Sequence, residues 1–233
     1  MSGAPSLVTM HFWRVPRLAV PRALVRMAWD RPAVRALRFG KLLGTGSGET
    51  FAARDPDPTR WALLACWGSE REAEDFEASA TVRGWDALAR ERCRLRLRPL
   101  SSRGRWSGRE PFGSPGAGRY DGPVAALTRA RIRPRRLATF WTSVPAVAAD
   151  LAGREGLLLR TGVGEFPVAF QGTFSVWSSA SALRAFAYDG AAHAAAIGRT
   201  AAERWYAEEL FARFAVLGAD GTIEGTPLPL PEP

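Results

Sequence analysis

Few residues in this 233-residue chain have chemistry of their own. There are two histidines, His11 and His193, and two cysteines, Cys66 and Cys93. A structural zinc or non-haem iron site gathers three or four such ligands, so a multi-histidine centre is not expected. The cysteines stand far apart and form neither a metal motif nor a disulfide framework. Haem differs, because one axial imidazole is enough to hold it. His193 is then the candidate. It sits among Ala192, Ala194, Ala195 and Ala196, small side chains that let a flat macrocycle approach the backbone, although alanine also simply favours helix. No phosphate-binding loop, no H-E-x-x-H and no nucleophile elbow is present. The runs TGSGE (45–49) and TGVGE (161–165) lack dinucleotide-binding spacing and read as structural turns where glycine permits positive φ.

The elements around His193 are found twice. Thr45-Gly-Ser-Gly-Glu49 answers Thr161-Gly-Val-Gly-Glu165. The strand 61–67 answers 171–177, both ending in Trp, and Ser69 with Phe76 answers Ser179 with Phe186. Upstream, Trp29 to Val34 answers Trp141 to Val147. Four matches in one order argue for internal duplication. Arg83 stands in the first half where His193 stands in the second.

Periodicity predicts strand at 9–15, helix at 22–37 with an interruption at Pro32, strand near 49–53, a turn at 55–58 and strand at 61–67. One helix or two follow at 69–92, capped by Ser69, and strand at 95–100. The second half predicts strand at 125–132, helix at 137–151, strands at 157–160 and 172–177, helix at 181–213 with a break, and strand at 215–217. Each half is then strand, helix, strand, strand, helix, strand, the order of a ferredoxin-like plait. The expected fold is α+β: tandem ferredoxin-like repeats forming a dimeric α/β barrel within one chain. The divisions are a disordered tail (1–9), a first repeat (10–100), a Gly/Arg-rich loop (101–123), a second repeat holding the haem candidate (124–225) and a Pro-rich extended tail (226–233). Trp106, Phe112 and Tyr120 are unusual in a plain linker and make the loop a lid or pocket wall.

Composition bounds the function. Hydrophobic residues make up 46%, with nine Trp and twelve Phe, enough for a heavy core or a large apolar pocket. The net charge of +9 is almost all arginine, Lys41 being the only lysine. The arginines are spread over both halves, so no nucleic-acid partner is expected, while peripheral contact with an anionic membrane fits. The chain opens without a basic-then-apolar leader, which predicts a reduced cytoplasm. The uncharged run 166–183 is studded with Ser, Thr and Gln and does not read as a membrane span.

Several runs carry a family likeness. They are Gln171-Gly-Thr-Phe-Ser-Val-Trp177, Phe186-Ala-Tyr188, His193, Arg204-Trp-Tyr-Ala-Glu-Glu-Leu-Phe-Ala-Arg-Phe214, and Arg103-Gly-Arg-Trp-Ser-Gly108 with Pro111-Phe112. From about residue 11 to 225 the chain resembles the spheroidene monooxygenase family. The resemblance implies a haem-containing, oxygen-dependent enzyme that adds a keto group near the end of an acyclic carotenoid. It also implies an electron donor such as reduced ferredoxin, and it places the haem iron on His193. Haem propionates would need cations, for which Arg105, Arg109 and Arg199 are candidates. The polyene would need a long apolar wall, for which Trp106, Phe112, Phe170, Phe174, Trp177, Trp205 and Tyr206 are candidates. Two rival readings use the same residues: an α/β-barrel enzyme on another apolar substrate without haem, and a non-catalytic haem or lipid binder.

Overall fold

Buried apolar residues alternate at 93–97 and 210–214, the period of a strand, while 61–67 is apolar throughout, as a strand covered on both faces requires. The computed structural model describes residues 5–46, 56–113, 120–133, 135, 153–165, 172–189 and 206–230. Its strands are β1 (Leu7–Arg14), β2 (Phe39–Gly46), β3 (Pro56–Trp67), β4 (Glu91–Gly104), β5 (Val124–Ile132), β6 (Leu157–Gly164), β7 (Gly172–Trp177) and β8 (Tyr206–Gly221). They close into one antiparallel barrel in the order β1-β3-β2-β6-β7-β5-β8-β4. Four helices accompany it among the described residues: α1 (Val20–Ala36), α2 (Glu70–Glu77), α3 (Ala80–Asp86) and α4 (Ala180–Asp189).

The two halves share one strand order. Neighbours run β4-β1-β3-β2 in the first half and β8-β5-β7-β6 in the second. β3 and β7, the two matched Trp-ending strands, hold the same place in each half.

Alternation sorts the side chains into an interior and two outer layers. From β1, Val8, Met10 and Phe12 turn into the barrel, where they meet Leu64, Leu95, Phe174 and Phe214. Leu7 and Trp13 belong to the outer layer instead, beneath α1 and α3 with Trp61 and Trp85. Trp13 and Trp85 stack with ring centres 5.5 Å apart. Outside the second half, Trp177 stacks on Phe186 of α4 at 5.3 Å. The Ser69 cap forms as its type predicts: its Oγ accepts from the Glu72 N–H at 3.2 Å.

Four sequence expectations are corrected. The second glycine run is strand and not turn: Thr161 to Gly164 end β6. Of the first run, Thr45 and Gly46 end β2, with Gly44 opposite Gly164 in the ladder, and 47–49 lie outside the described residues. Residues 206–213 are strand and not helix. Ala and Glu favour helix there, but Leu210, Ala212 and Phe214 are buried at every second position, and that period decides. Pro56 and Pro58 open β3 in place of a separate turn, at the strand start where a missing N–H is tolerated. Helix α1 runs through Pro32 without a break, anchored on either side by buried Met27 and Val34. The expected strand near 49–53 and helix at 137–151 lie outside the described residues.

Candidate functional site at the mouth of the barrel

A cavity of about 590 Å³ opens where β1 and β2 end and β3, β4 and β6 begin. Its walls mix apolar side chains, among them Phe12, Trp61, Leu158, Leu159, Ile223 and Leu228, with polar ones, among them Arg14, Thr45, Arg160 and Thr161. Phe12 turns inward and meets Phe174 across the barrel at 5.8 Å. Charged groups rim the opening. The Arg60 guanidinium bonds Glu224 at 2.7 Å and Asp57 at 3.2 Å. The Glu91 carboxylate accepts from the Thr222 hydroxyl at 3.2 Å and from the Gly225 N–H. These bonds hold a tight turn, in which Glu224 has φ 58° and Gly225 has φ 79°. The turn lays the chain end across the mouth, where Leu228 and Leu230 pack against the interior core. No histidine or cysteine is among the described residues that line the cavity. Such a site grips an elongated apolar body and leaves charge for a polar end.

The other end of the barrel is plugged. After β4 the chain makes a short hairpin, Trp106 N–H to Arg109 O at 2.8 Å, and drives Trp106 and Phe112 into the interior, where both are buried. Glu165, one residue past β6, ties the plug down. Its carboxylate accepts from Trp106 Nε1 at 2.5 Å, Lys41 Nζ at 2.9 Å and Arg129 Nη2 at 3.1 Å. Glu208 pairs with the other arm of Arg129 and accepts from Ser107 and Gly108 N–H at 3.0 and 2.7 Å. Burial alone would raise the Glu165 carboxyl. The hydrogen bonds from Lys41 and Trp106, and the charges of Lys41 and Arg129, outweigh it and hold the group below its usual range.

No family model matches the sequence. Single relatives do. The spheroidene monooxygenase of Rhodobacter capsulatus is 37% identical over 219 residues, 91% of this chain and 87% of that protein. The chain belongs to the spheroidene monooxygenase family. It is an oxygen-dependent monooxygenase. The Rubrivivax gelatinosus spheroidene monooxygenase is 40% identical over 190 residues, 81% of this chain and 72% of its own. Among solved structures, an aldoxime dehydratase shares the fold with a TM-score of 0.51 at 12% identity, over 90% of this chain and 80% of that one.

Within this member of the spheroidene monooxygenase family, the residues singled out from sequence fall in several places. Phe174 and Trp177 lie on opposite faces of β7, one in the interior and one under α4. Trp106 and Phe112 are interior residues of the plug, at the end away from the cavity. Tyr206 starts β8 opposite Ile132. Arg105 pairs with Glu110 at the surface, and Arg109 donates to Arg38 O at 2.7 Å. His193, Arg199, Phe170 and Trp205 lie outside the described residues. The described residues contain no cluster of three metal-ligating side chains. Cys66 and Cys93 are buried, and burial pushes their thiols up to about 12 and about 11, so both are inert at neutral pH.

His11 is fully buried. Its Nε2 meets Glu77 Oε1 at 2.5 Å, its ring stacks on Trp13, and its Nδ1 has no partner. With one nitrogen engaged and no exposed edge, it leaves no room for a macrocycle. Sequence reasoning missed Lys41, Arg129, Glu165 and Glu208 as a group, and also the cavity rim. The signal for the rim was the apolar pair Leu228 and Leu230 in a tail read as merely extended.

Proposed function

We propose that the chain is a haem-dependent monooxygenase that ketolates an acyclic carotenoid such as spheroidene. The observation that carries this reading is a cavity with an apolar part (Phe12, Leu158, Leu159, Ile223, Leu228) and a charged rim, in a chain of this family. Phe12, Leu158, Leu159 and Ile223 exclude water and orient one end of the polyene. Arg60 and Glu224 stand at the rim, where a polar terminus would rest. Haem, when bound, supplies the activation of O2. His193 is the ligand in this proposal, because His11 does not fit the group and the chain has no third histidine. The electron donor in this reading is one such as reduced ferredoxin, and a donor with an acidic face would suit the net charge of +9. The two halves are read as tandem ferredoxin-like units making a dimeric α/β barrel, supported by their shared strand order. The site of action is the cytoplasm, at the edge of a membrane. No helix among the described residues is long and apolar enough to cross one.

The test is haem reconstitution followed by turnover of spheroidene with O2 and reduced ferredoxin. A Soret band and a keto product are expected, and both should vanish in His193→Ala while the far-UV circular dichroism stays unchanged. Turnover without a Soret band would remove haem from the reading. Haem occupancy unchanged in His193→Ala would remove that residue.

A further inference from the structure

Helix α1 is apolar on two opposite faces. One face, Ala23, Met27 and Val34, is buried against the barrel. At 3.6 residues per turn, Pro21, Val25, Ala28, Trp29 and Pro32 form a second stripe on the far side. This stripe is bare. Trp29 is 80% exposed, Val25 68%, and Leu18, in the turn that leads into the helix, 95%. The stripe borders a groove of about 430 Å³ whose floor is Gly84, Ala87 and Leu88 of the α3 region.

The charges around the stripe have one sign. Residues 16–38 hold six arginines and one acid, Asp30, which is buried and bonded to Arg26 at 2.8 Å. On the helix, Arg22 and Arg26 flank one edge of the stripe, and Arg31 and Arg35 flank the other. An apolar stripe carrying Trp and Val, with Leu18 ahead of it, between two rows of arginine is the pattern of a helix lying in a lipid–water interface. A second copy would set the same arginines against each other across a two-fold axis. A nucleic acid would meet Trp29 and Val25 at the centre of the face, where phosphates need cations.

We propose that this face of α1, with Leu18 at its leading end, docks the protein on an anionic phospholipid bilayer. The same chain segment ties the docked face to the cavity. Arg14 and Trp13 line the cavity, and Leu18 follows four residues after Arg14, a span of at most about 15 Å. At the helix's leading end, docking therefore leaves the cavity mouth within about 15 Å of the lipid surface. Under the carotenoid reading, that is the layer in which the substrate dissolves.

The experiment is cosedimentation of the full chain with vesicles, read without turnover, so it stands or falls separately from the catalytic proposal. Vesicles of phosphatidylcholine mixed with phosphatidylglycerol should pellet the protein, and phosphatidylcholine alone should not. High salt should release it. Val25→Ser with Trp29→Ser, and separately Arg22→Gln with Arg35→Gln, should each weaken the partition about tenfold or more. All four side chains are exposed, so the circular dichroism should not change. Equal binding to neutral vesicles, or variants that bind like the parent, would overturn the proposal. So would a sedimentation-velocity shift from dimer to monomer in the Val25/Trp29 variant, which would give the face to a second copy.

Discussion

Replacing Trp106 tests whether the segment after β4 is a structural plug. The indole is 1% exposed and lies edge-on to Phe39 at 5.6 Å. Lys41 and Arg129 stand over its ring at 5.6 and 5.5 Å, and its N–H reaches Glu165 at 2.5 Å. Trp106→Ala removes the whole ring from a closed interior and should cost about 3–5 kcal/mol. Trp106→Phe keeps most of the buried surface and loses one bond to a carboxylate, a class worth about 1.5–3 kcal/mol. Glu165 is one-third exposed and keeps Lys41 and Arg129, so the lower figure applies. The assay is equilibrium urea unfolding with an unchanged slope, which should show Ala well below Phe and Phe below the parent. Trp106 does not line the cavity, so turnover per folded molecule should stay constant in Trp106→Phe. A cost below about 1 kcal/mol for Trp106→Ala would refute the plug, since no buried Trp with these partners is lost so cheaply.

Acid should act on the fold through His11 and Glu77. Burial lowers His11 below 6.5 against the pull of Glu77, so the unfolded chain binds the proton first; the related stability is complete above pH 6.5 and is lost as the pH falls below it. Burial would raise Glu77, but His11, Arg92 and Arg94 hold it down at about 2, so its contribution is present above pH 4.5 and is lost between there and about 2. Melting temperatures across this range should fall in two stages, and His11→Asn should flatten the upper one; an unaltered upper stage would clear His11. In the cavity, Leu159→Trp should fill the wall and weaken binding of an apolar substrate about tenfold or more, and an unchanged KM would move the substrate elsewhere.

What was legible in the sequence is what depends on local pattern. Trp61 to Trp67 reads as a strand because an apolar run of that length between turn signals has few other homes. Ser69 reads as a cap because its hydroxyl can reach the N–H three residues on. The likeness of 61–67 to 171–177 anticipated the matching places of β3 and β7. The Glu165 group was not legible. Lys41 is 124 residues away in the chain and Arg129 is 36 away. Arg129 arrives because Gly172 pairs with both Val163 and Arg129, and Lys41 because β2 pairs with β6; both registers are properties of the closed barrel. Residues 206–213 misled because intrinsic preference pointed to helix while the buried side chains alternate in twos.

The wall of the barrel is not equally tight all round. On one side β4 and β8 are laced at eleven ladder positions. On the other, among the described residues, β2 and β6 meet at two, Gly44 with Gly164 and Thr45 with Val163, helped by the Thr161 hydroxyl on Gly46 O at 3.0 Å. Among the described residues the cylinder therefore has one closely laced seam and one light clasp. Thr45, Leu158, Leu159 and Thr161 border the cavity on the clasp side. Among the described residues, parting the clasp breaks two ladder positions, the Thr161 bond and the Lys41–Glu165 pair, while both half-barrels keep their own sheets. A rod-shaped guest too long for the resting chamber thus has a way in that leaves the rest of the wall standing.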